Sequence, residues 1–364
     1  MRKFIPQMEP WFDKKETLAV LDYMQSGGWI TEFTKTEDLE AQLSHFIGAQ
    51  YCVMTVNGTV SLILALLALG IKAGDEVLVP DLTMIATANA PVLIGVKPIF
   101  VDVEPNTLCM DLSQAQQFIT QKTKALIYVS LNGRSGDMNK LVRFCKAHKL
   151  LLIEDAAQAL GSKWHGKHLG SFGSIGCLSF STQKIITTGQ GGALLTNNEK
   201  LYRTIKRVKD FGRESGGNDI HNKWGWNFKF TDLQAILGIE QMKKLPRRIK
   251  RKKEIYKKYF EALKHVKQIE FIQTNLKDTT PWFVDIYLEN PSKLAFYLKE
   301  KGIGTRPIYP PIHTQKIYRQ KQKGNKFTVT KHYASRGLWL PSSSKLTNAE
   351  IDYVINAIKE YYRS

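Results

Sequence analysis

The chain has 364 residues, a formal net charge of +19, 43% apolar residues and only four cysteines. This length exceeds what one compact core usually serves and leaves ample material to bury, so two domains are expected. The first residues, MRKFIPQMEPWFDKKE, hold no apolar stretch suited to a signal peptide, and the longest apolar run, Val60 to Ile71, is too short for a bilayer that needs about 20 residues, so no membrane partner and a cytoplasmic location are expected.

From residue 50 to 245, strand and helix signals alternate. Apolar runs at 51–54, 76–79, 98–102, 125–130, 150–154, 175–180 and 192–196 are separated by segments able to hold a helix or a long turn. The pattern predicts an α/β large domain over 1–245, with a mostly parallel sheet covered on both faces.

The first strand leads through Asn57 and Gly58 into a helix whose first turn carries Thr59, Val60 and Ser61. Free backbone N–H groups and the positive end of the dipole make that turn a place for a phosphate. An ordinary strand-to-helix turn has the same composition. Asn57-Gly58-Thr59 also matches a glycosylation acceptor, which the lack of a secretory signal disfavours.

The run LLLIED predicts a buried strand with Asp155 at its carboxyl end, where open α/β sheets place ligands. Asp155 also suits a helix cap ahead of AAQAL. Downstream, SFSTQKIITTGQGG delivers Ser179 and Lys184 from an apolar strand into a Thr/Gly-rich turn. An exposed ammonium is not nucleophilic; burial and neighbouring positive groups free the amine for a Schiff base. Lysine and aspartate together suggest pyridoxal phosphate, the lysine bonding to the cofactor and the carboxylate keeping its pyridine nitrogen protonated.

Residues 243–260 carry ten Lys/Arg against one Glu. Leu245, Ile249, Ile255, Tyr256, Tyr259 and Phe260 recur at helical spacing within them, which predicts an amphipathic helix with a charged outer face rather than a nucleic-acid surface. Beyond it, 269–290 reads as short strands and 292–302 and 347–361 as helices, giving a smaller α+β domain over 246–364 with Pro246 as the hinge. The cysteines, Cys52, Cys109, Cys145 and Cys177, lack paired spacing and suit reduced thiols. The histidines, His165 and His168 of the WHGKHLG turn included, show no ligand spacing, and no metal is expected.

In order along the chain, NGTVSLILALLALGIKAGDEVLVPDLTMIATANA, IEDAAQALGS, SFSTQKIITTGQGGALLT, WNFKFTDLQAILG and GIGTRPIYPPIH resemble the DegT/DnrJ/EryC1/StrS family of pyridoxal-phosphate-dependent nucleotide-sugar aminotransferases nearly end to end. The resemblance implies the aspartate aminotransferase fold (fold type I), a homodimer with shared active sites, and conversion of a keto group on a nucleotide-linked sugar to an amine with L-glutamate as donor.

Carried over residue by residue, it makes Lys184 the lysine that bonds to the cofactor and the acid and base of the proton shift. Asp155 would pair with the pyridine nitrogen and Gln158 would lie near the ring hydroxyl. Ser179, Gly58, Thr59 and the amide of Val60 would hold the phosphate, with Asn227 reaching it from the partner subunit. Tyr309, His313 and Arg306 fall at positions near the sugar or an anionic group.

Four residues depart from the family pattern. Met84 stands where an aromatic often stacks on the pyridine, Gln190 where TGEGG is usual, Phe33 where glycine is common and Lys229 where arginine is common. Lys184 separates the chain from relatives on this fold that are sugar dehydratases, in which a histidine replaces the lysine. A nucleic-acid-binding regulator is the alternative from another class. The TTGxGG pattern resembles 4-aminotransferases, so a 4-keto-6-deoxy hexose is the expected substrate. GDP-4-keto-6-deoxymannose, giving GDP-perosamine, comes first, ahead of dTDP-4-keto-6-deoxyglucose and the UDP-linked 2-acetamido analogue.

Overall fold

The protein is described by a computed structural model covering residues 4–214, 219–318 and 326–363. Among the described residues, nine strands precede the long basic helix: β1 (Tyr51–Thr55), β2 (Glu76–Pro80), β3 (Lys97–Val101), β4 (Thr123–Val129), β5 (Leu151–Asp155), the short hairpin β6 (Lys163–Trp164) and β7 (Lys167–His168), β8 (Ile175–Ser179) and β9 (Gly192–Thr196). Seven of them form one sheet in the order β1-β9-β8-β5-β4-β2-β3. Pairs from β8 through β3 are parallel, and β9 runs antiparallel between β1 and β8.

These strands read as continuous apolar runs because both faces of the sheet are covered. Successive side chains point to opposite faces, so Leu126, Tyr128, Leu152 and Leu178 enter one core, and Ala125, Ile127, Ile153 and Cys177 the other. All four cysteines are free, buried thiols. The carboxyl ends of the parallel strands thereby meet along one edge, with Asp155 closing β5 and Ser179 closing β8.

A second, three-stranded antiparallel sheet has the order β10 (Val284–Tyr287), β12 (Gly337–Leu340), β11 (Arg306–Pro307). Helices Pro291–Glu300 and Asn348–Tyr361 pack on it through Leu294, Leu298, Ile351 and Ile355. Within 269–290 the only strand is β10, and Glu270 makes an isolated bridge to Tyr287.

The 245/246 boundary read from the sequence falls inside one continuous 32-residue helix, Asp232–Leu263, which holds Pro246 within it. This helix packs Leu245 into the core of the large sheet and Ile255, Tyr259 and Leu263 into that of the small one. The chain start, grouped with the large domain by sequence, packs on the small one: Ile5 pairs with Ile303 and is buried among its apolar side chains.

Candidate active site

A cavity of about 620 Å³ opens at the carboxyl ends of β5 and β8. Asp155, Gln158, Ser179, Gly58, Thr59, Val60, Met84, Lys184, Arg306 and Tyr309 all line it. Ten of the twelve residues singled out from sequence thus come together; Asn227 and His313 do not line the cavity of their own chain.

Asp155 is 7% exposed. Its Oδ2 accepts the Thr87 hydroxyl at 2.7 Å and its Oδ1 the Ala157 amide at 3.2 Å; residues 156–162 form turns and no helix, so Asp155 ends a strand and steadies a turn rather than capping a helix. Burial pushes the carboxyl up from its ordinary range, against these two bonds and the positive Lys184. A carboxylate so placed is satisfied best by a cation in the cavity.

The Lys184 amine is lowered to about 8 by burial; Asp155 opposes this and Arg306 adds to it. Nζ lies 4.1 Å from the centroid of the Trp282 ring. A ring face attracts a cation, yet the water it displaces counts for more here, since the net shift is downward. The indole is fixed in turn, its Nε1 donating to the Gln183 carbonyl at 2.8 Å.

At the other end, the helix Gly58–Ala68 presents its N-terminus. Any Cβ on Gly58 would stand 2.9 Å from Cβ of Ser179, so glycine is what lets β8 and the helix start approach this closely. The Val60 amide is already used: it donates to Oδ1 of the N-cap Asn57 at 2.9 Å. Val60 lines the cavity with Gly58, Thr59 and Ser179, its amide engaged here by the cap rather than free. The physical reason is the cap itself, which satisfies one of the four orphan donors every helix start carries.

Gln158 is held by the Asn132 amide, which donates to its Oε1 at 2.9 Å. Arg306 donates to Gln183 Oε1 at 3.1 Å and lies over the Trp339 ring. Tyr309 packs edge-on against the same indole, and burial pushes its phenol up.

His313, expected near the sugar, turns instead to a buried aspartate. Its Nδ1 is 2.6 Å from Asp81 Oδ2, its amide donates to Asp81 Oδ1 at 2.8 Å, and its ring stacks on Phe327 at 4.3 Å. Asp81 follows β2 directly and is fully buried, so it claims the imidazole. Asn227 pairs with Asp210 at the surface, next to the ion pair of Lys229 and Asp210 at 3.0 Å.

Trp282, Thr87 and Gln183 went unnoticed in the sequence. Gln183 directly precedes Lys184, and Thr87 lies in the TMIATANA segment already marked. Trp282 gave only the cue of a tryptophan after proline in TTPWF. The basic helix is also not charged solely on its outer face, because Arg248 and Lys252 are each 2% exposed and point inward.

A GDP-perosamine synthase of Escherichia coli O157:H7 is 38% identical over 369 residues, with 99% of each chain covered. A GDP-perosamine synthase of Vibrio cholerae is 32% identical over 364 residues, covering 98% of this chain and 99% of that one. Among solved structures, the PLP form of the putative sugar aminotransferase Spr1654 from Streptococcus pneumoniae superimposes with a TM-score of 0.92 at 26% identity, covering 99% of both chains. The α/β architecture with a large mixed sheet is the fold type I expected. The family match itself extends over residues 11–359, and the chain belongs to the DegT/DnrJ/EryC1/StrS aminotransferase family.

Proposed function

We propose that the chain is a pyridoxal-phosphate-dependent aminotransferase that uses L-glutamate to convert a nucleotide-linked 4-keto-6-deoxy sugar to its 4-amino form, with GDP-4-keto-6-deoxymannose as substrate and GDP-perosamine as product. The observation that carries this reading is the Lys184 amine, lowered to about 8 in a cavity floored by the buried Asp155. The names of the relatives support the GDP-linked sugar.

The residues present fit the cofactor. Gly58 leaves room beside Ser179 for an anion at an open helix start, and Asp155 is a buried carboxylate facing the same cavity as Lys184. When bound, pyridoxal phosphate supplies a conjugated cationic ring that delocalises an electron pair on the adjoining carbon. Asp155, fixed by Thr87 and Ala157, would keep a positive charge on the ring nitrogen. Gly58, Thr59, Val60 and Ser179 would hold the phosphate end, and Gln158 would lie near the ring hydroxyl.

Lys184 Nζ carries the proton. As a neutral amine it takes up the proton from Cα of the donor, and on the sugar half-reaction it returns one. Trp282 keeps water from that nitrogen while Arg306 meets an anionic group of the donor or the sugar nucleotide. Met84, 45% exposed at the rim, offers a thioether to a ring face. Tyr309 lines the sugar side.

The active form in this reading is a cytoplasmic homodimer. Trp29, Phe33 and Trp224 are 65%, 57% and 88% exposed, which suits a face covered by a second copy, and Asn227 would then reach the phosphate of the partner's site. No described helix is long and apolar enough to cross a membrane. The nucleic-acid reading is disfavoured because Arg248 and Lys252 of the basic helix serve internal carbonyls.

The test is incubation with glutamate and each of the three nucleotide-linked keto sugars, with products read by mass spectrometry. An amino sugar from the GDP-linked substrate is expected. Amination of another nucleotide's sugar alone would move the substrate assignment there. No amination of any, with no borohydride-trapped cofactor on Lys184, would overturn the enzyme assignment.

A further inference from the structure

Two basic side chains of the basic helix are buried one turn apart, and both reach backbone carbonyls, Arg248 donating to Gln241 Oε1 as well. Lys252 donates from Nζ to the carbonyls of Trp282 at 2.5 Å and Ser342 at 2.6 Å. Arg248 donates from Nη1 to the Ile185 carbonyl at 3.0 Å and from Nη2 to the Trp11 carbonyl at 2.6 Å. Burial of an amine against neutral oxygens is costly, and burial with the neighbouring Arg248 lowers the Lys252 amine to about 7. The helix spends stability at this point, and what it holds explains why.

Lys184 is flanked by the two carbonyls fixed from this side. Trp282 Nε1 holds that of Gln183, and Arg248 holds that of Ile185. Trp282 is fixed by Lys252 at its own backbone, so the ring over the reactive amine is anchored at both ends. We propose that Lys252, with Arg248 one turn before it, is a positioning residue for Lys184: it pins Trp282 over the amine and thereby keeps water from it. The inference rests on the reading of Lys184 as the reactive lysine, and assigns to the basic helix a part in the site that its charge pattern conceals.

Lys252→Met removes both donors and leaves no charge behind. Trp282 then loses the anchor on its carbonyl and keeps only the long bond of its N–H to the Asn132 carbonyl at 3.4 Å, water reaches Lys184, and the amine moves back toward an ordinary lysine. The ionisable groups facing Lys184 in the cavity, Asp155, Arg306 and Tyr309, are untouched by this change.

The experiment is competitive labelling of the full-length protein, freed of cofactor, with acetic anhydride across pH 6 to 11 (roughly the lysine range), with Lys184 read by peptide mass spectrometry. In the wild type Lys184 labels with a midpoint well below that of the exposed lysines. In Lys252→Met the midpoint rises by about one unit or more, so the amine is roughly tenfold less available at neutral pH. With cofactor restored, kcat falls while KM for glutamate changes little.

A depressed wild-type midpoint that stays unchanged in the variant would overturn the positioning role alone. An ordinary wild-type midpoint would overturn the reading of Lys184 and this inference with it. Should Lys252→Met fail to fold, Lys252→Gln, which keeps a donor for one carbonyl, takes its place: an upward shift supports the role and a wild-type profile overturns it.

Discussion

At the scale of single residues, the reading depends on an amine that loses its proton near neutral pH and a carboxylate that keeps its charge beside it. Lys184→Ala removes the first without touching the strands that deliver the turn, since the neighbouring carbonyls of Gln183 and Ile185 keep their donors. Turnover is expected to vanish, while circular dichroism and the assembly seen by size-exclusion chromatography remain as in the wild type; measurable transamination by the variant would refute the assignment. Lys184 and Asp155 were legible because Asp155 closes one apolar strand and Lys184 lies in the turn after another, and strand ends in an α/β sheet converge on one edge. Trp282 and His313 were not. The first reaches Lys184 from a loop distant in the chain, and the second is diverted by Asp81, whose full burial no local pattern shows.

Among the elements, the helix Gly58–Ala68 and the helix Asp232–Leu263 make opposite cases. The first was legible as a phosphate site because Asn-Gly-Thr sits between a strand and an apolar helix, and the structure adds why the glycine matters. Gly58→Ala would set a methyl 2.9 Å from Cβ of Ser179 and 3.2 Å from its hydroxyl oxygen. Relieving that overlap costs about 1–3 kcal/mol and pushes β8 away from the helix start. Affinity for pyridoxal phosphate, followed by absorbance titration, is expected to fall by about tenfold or more; unaltered affinity would remove Gly58 from the cofactor site.

The second helix was legible in amphipathic character, but not in extent, since it begins at Asp232 and runs through Pro246, and not in the direction of its charges. A lysine at a buried position carries no mark in a one-dimensional pattern, and its acceptors, Trp282 and Ser342, lie far along the chain. Its burial has a consequence for stability. The Lys252 amine is held at about 7 in the folded protein and returns to about 10.4 on unfolding, so between these values the unfolded chain binds more protons. Folding stability therefore gains from this group as pH rises through that window, and the gain is absent below it. From pH 7 to about 9 the contribution is on the order of 2 kcal/mol. Urea unfolding of the wild type and Lys252→Met at both pH values isolates it: the wild type gains this increment over the variant, and parallel pH dependences would show that Lys252 is not held neutral inside.

Over the whole molecule, the site is assembled from two sheets that must stay in register, since Lys184 and Asp155 belong to the large one and Trp282, Arg306 and Tyr309 to segments around the small one. Sequence suggested two units, through the change from alternating strand and helix signals to shorter segments, and the structure has two separate sheets. Sequence could not show how they are joined, because the joint, besides the shared helix Asp232–Leu263, includes a buried pair of charges far apart in the chain. Arg134, beyond β4, donates from Nη1 and Nη2 to the two carboxylate oxygens of Asp285 in β10 at 3.0 and 2.7 Å, with both side chains buried. Burial alone would push the Asp285 carboxyl up, yet the guanidinium more than offsets this and holds it below the ordinary range. Tyr287 adds its hydroxyl at 2.6 Å, and Arg134 Nε donates to the Thr107 carbonyl at 3.1 Å. Asp285→Asn keeps an acceptor and the shape but strands a buried cation, an expected loss of about 3–5 kcal/mol. The double change Arg134→Met with Asp285→Leu removes both charges and is expected to recover most of that loss, because a desolvated pair is worth little more than well-packed apolar groups. Denaturant midpoints of the wild type, the single variant and the double variant decide it. If Asp285→Asn unfolds at the wild-type midpoint, the two sheets are held together by their apolar contacts alone and the pair is incidental to the joint.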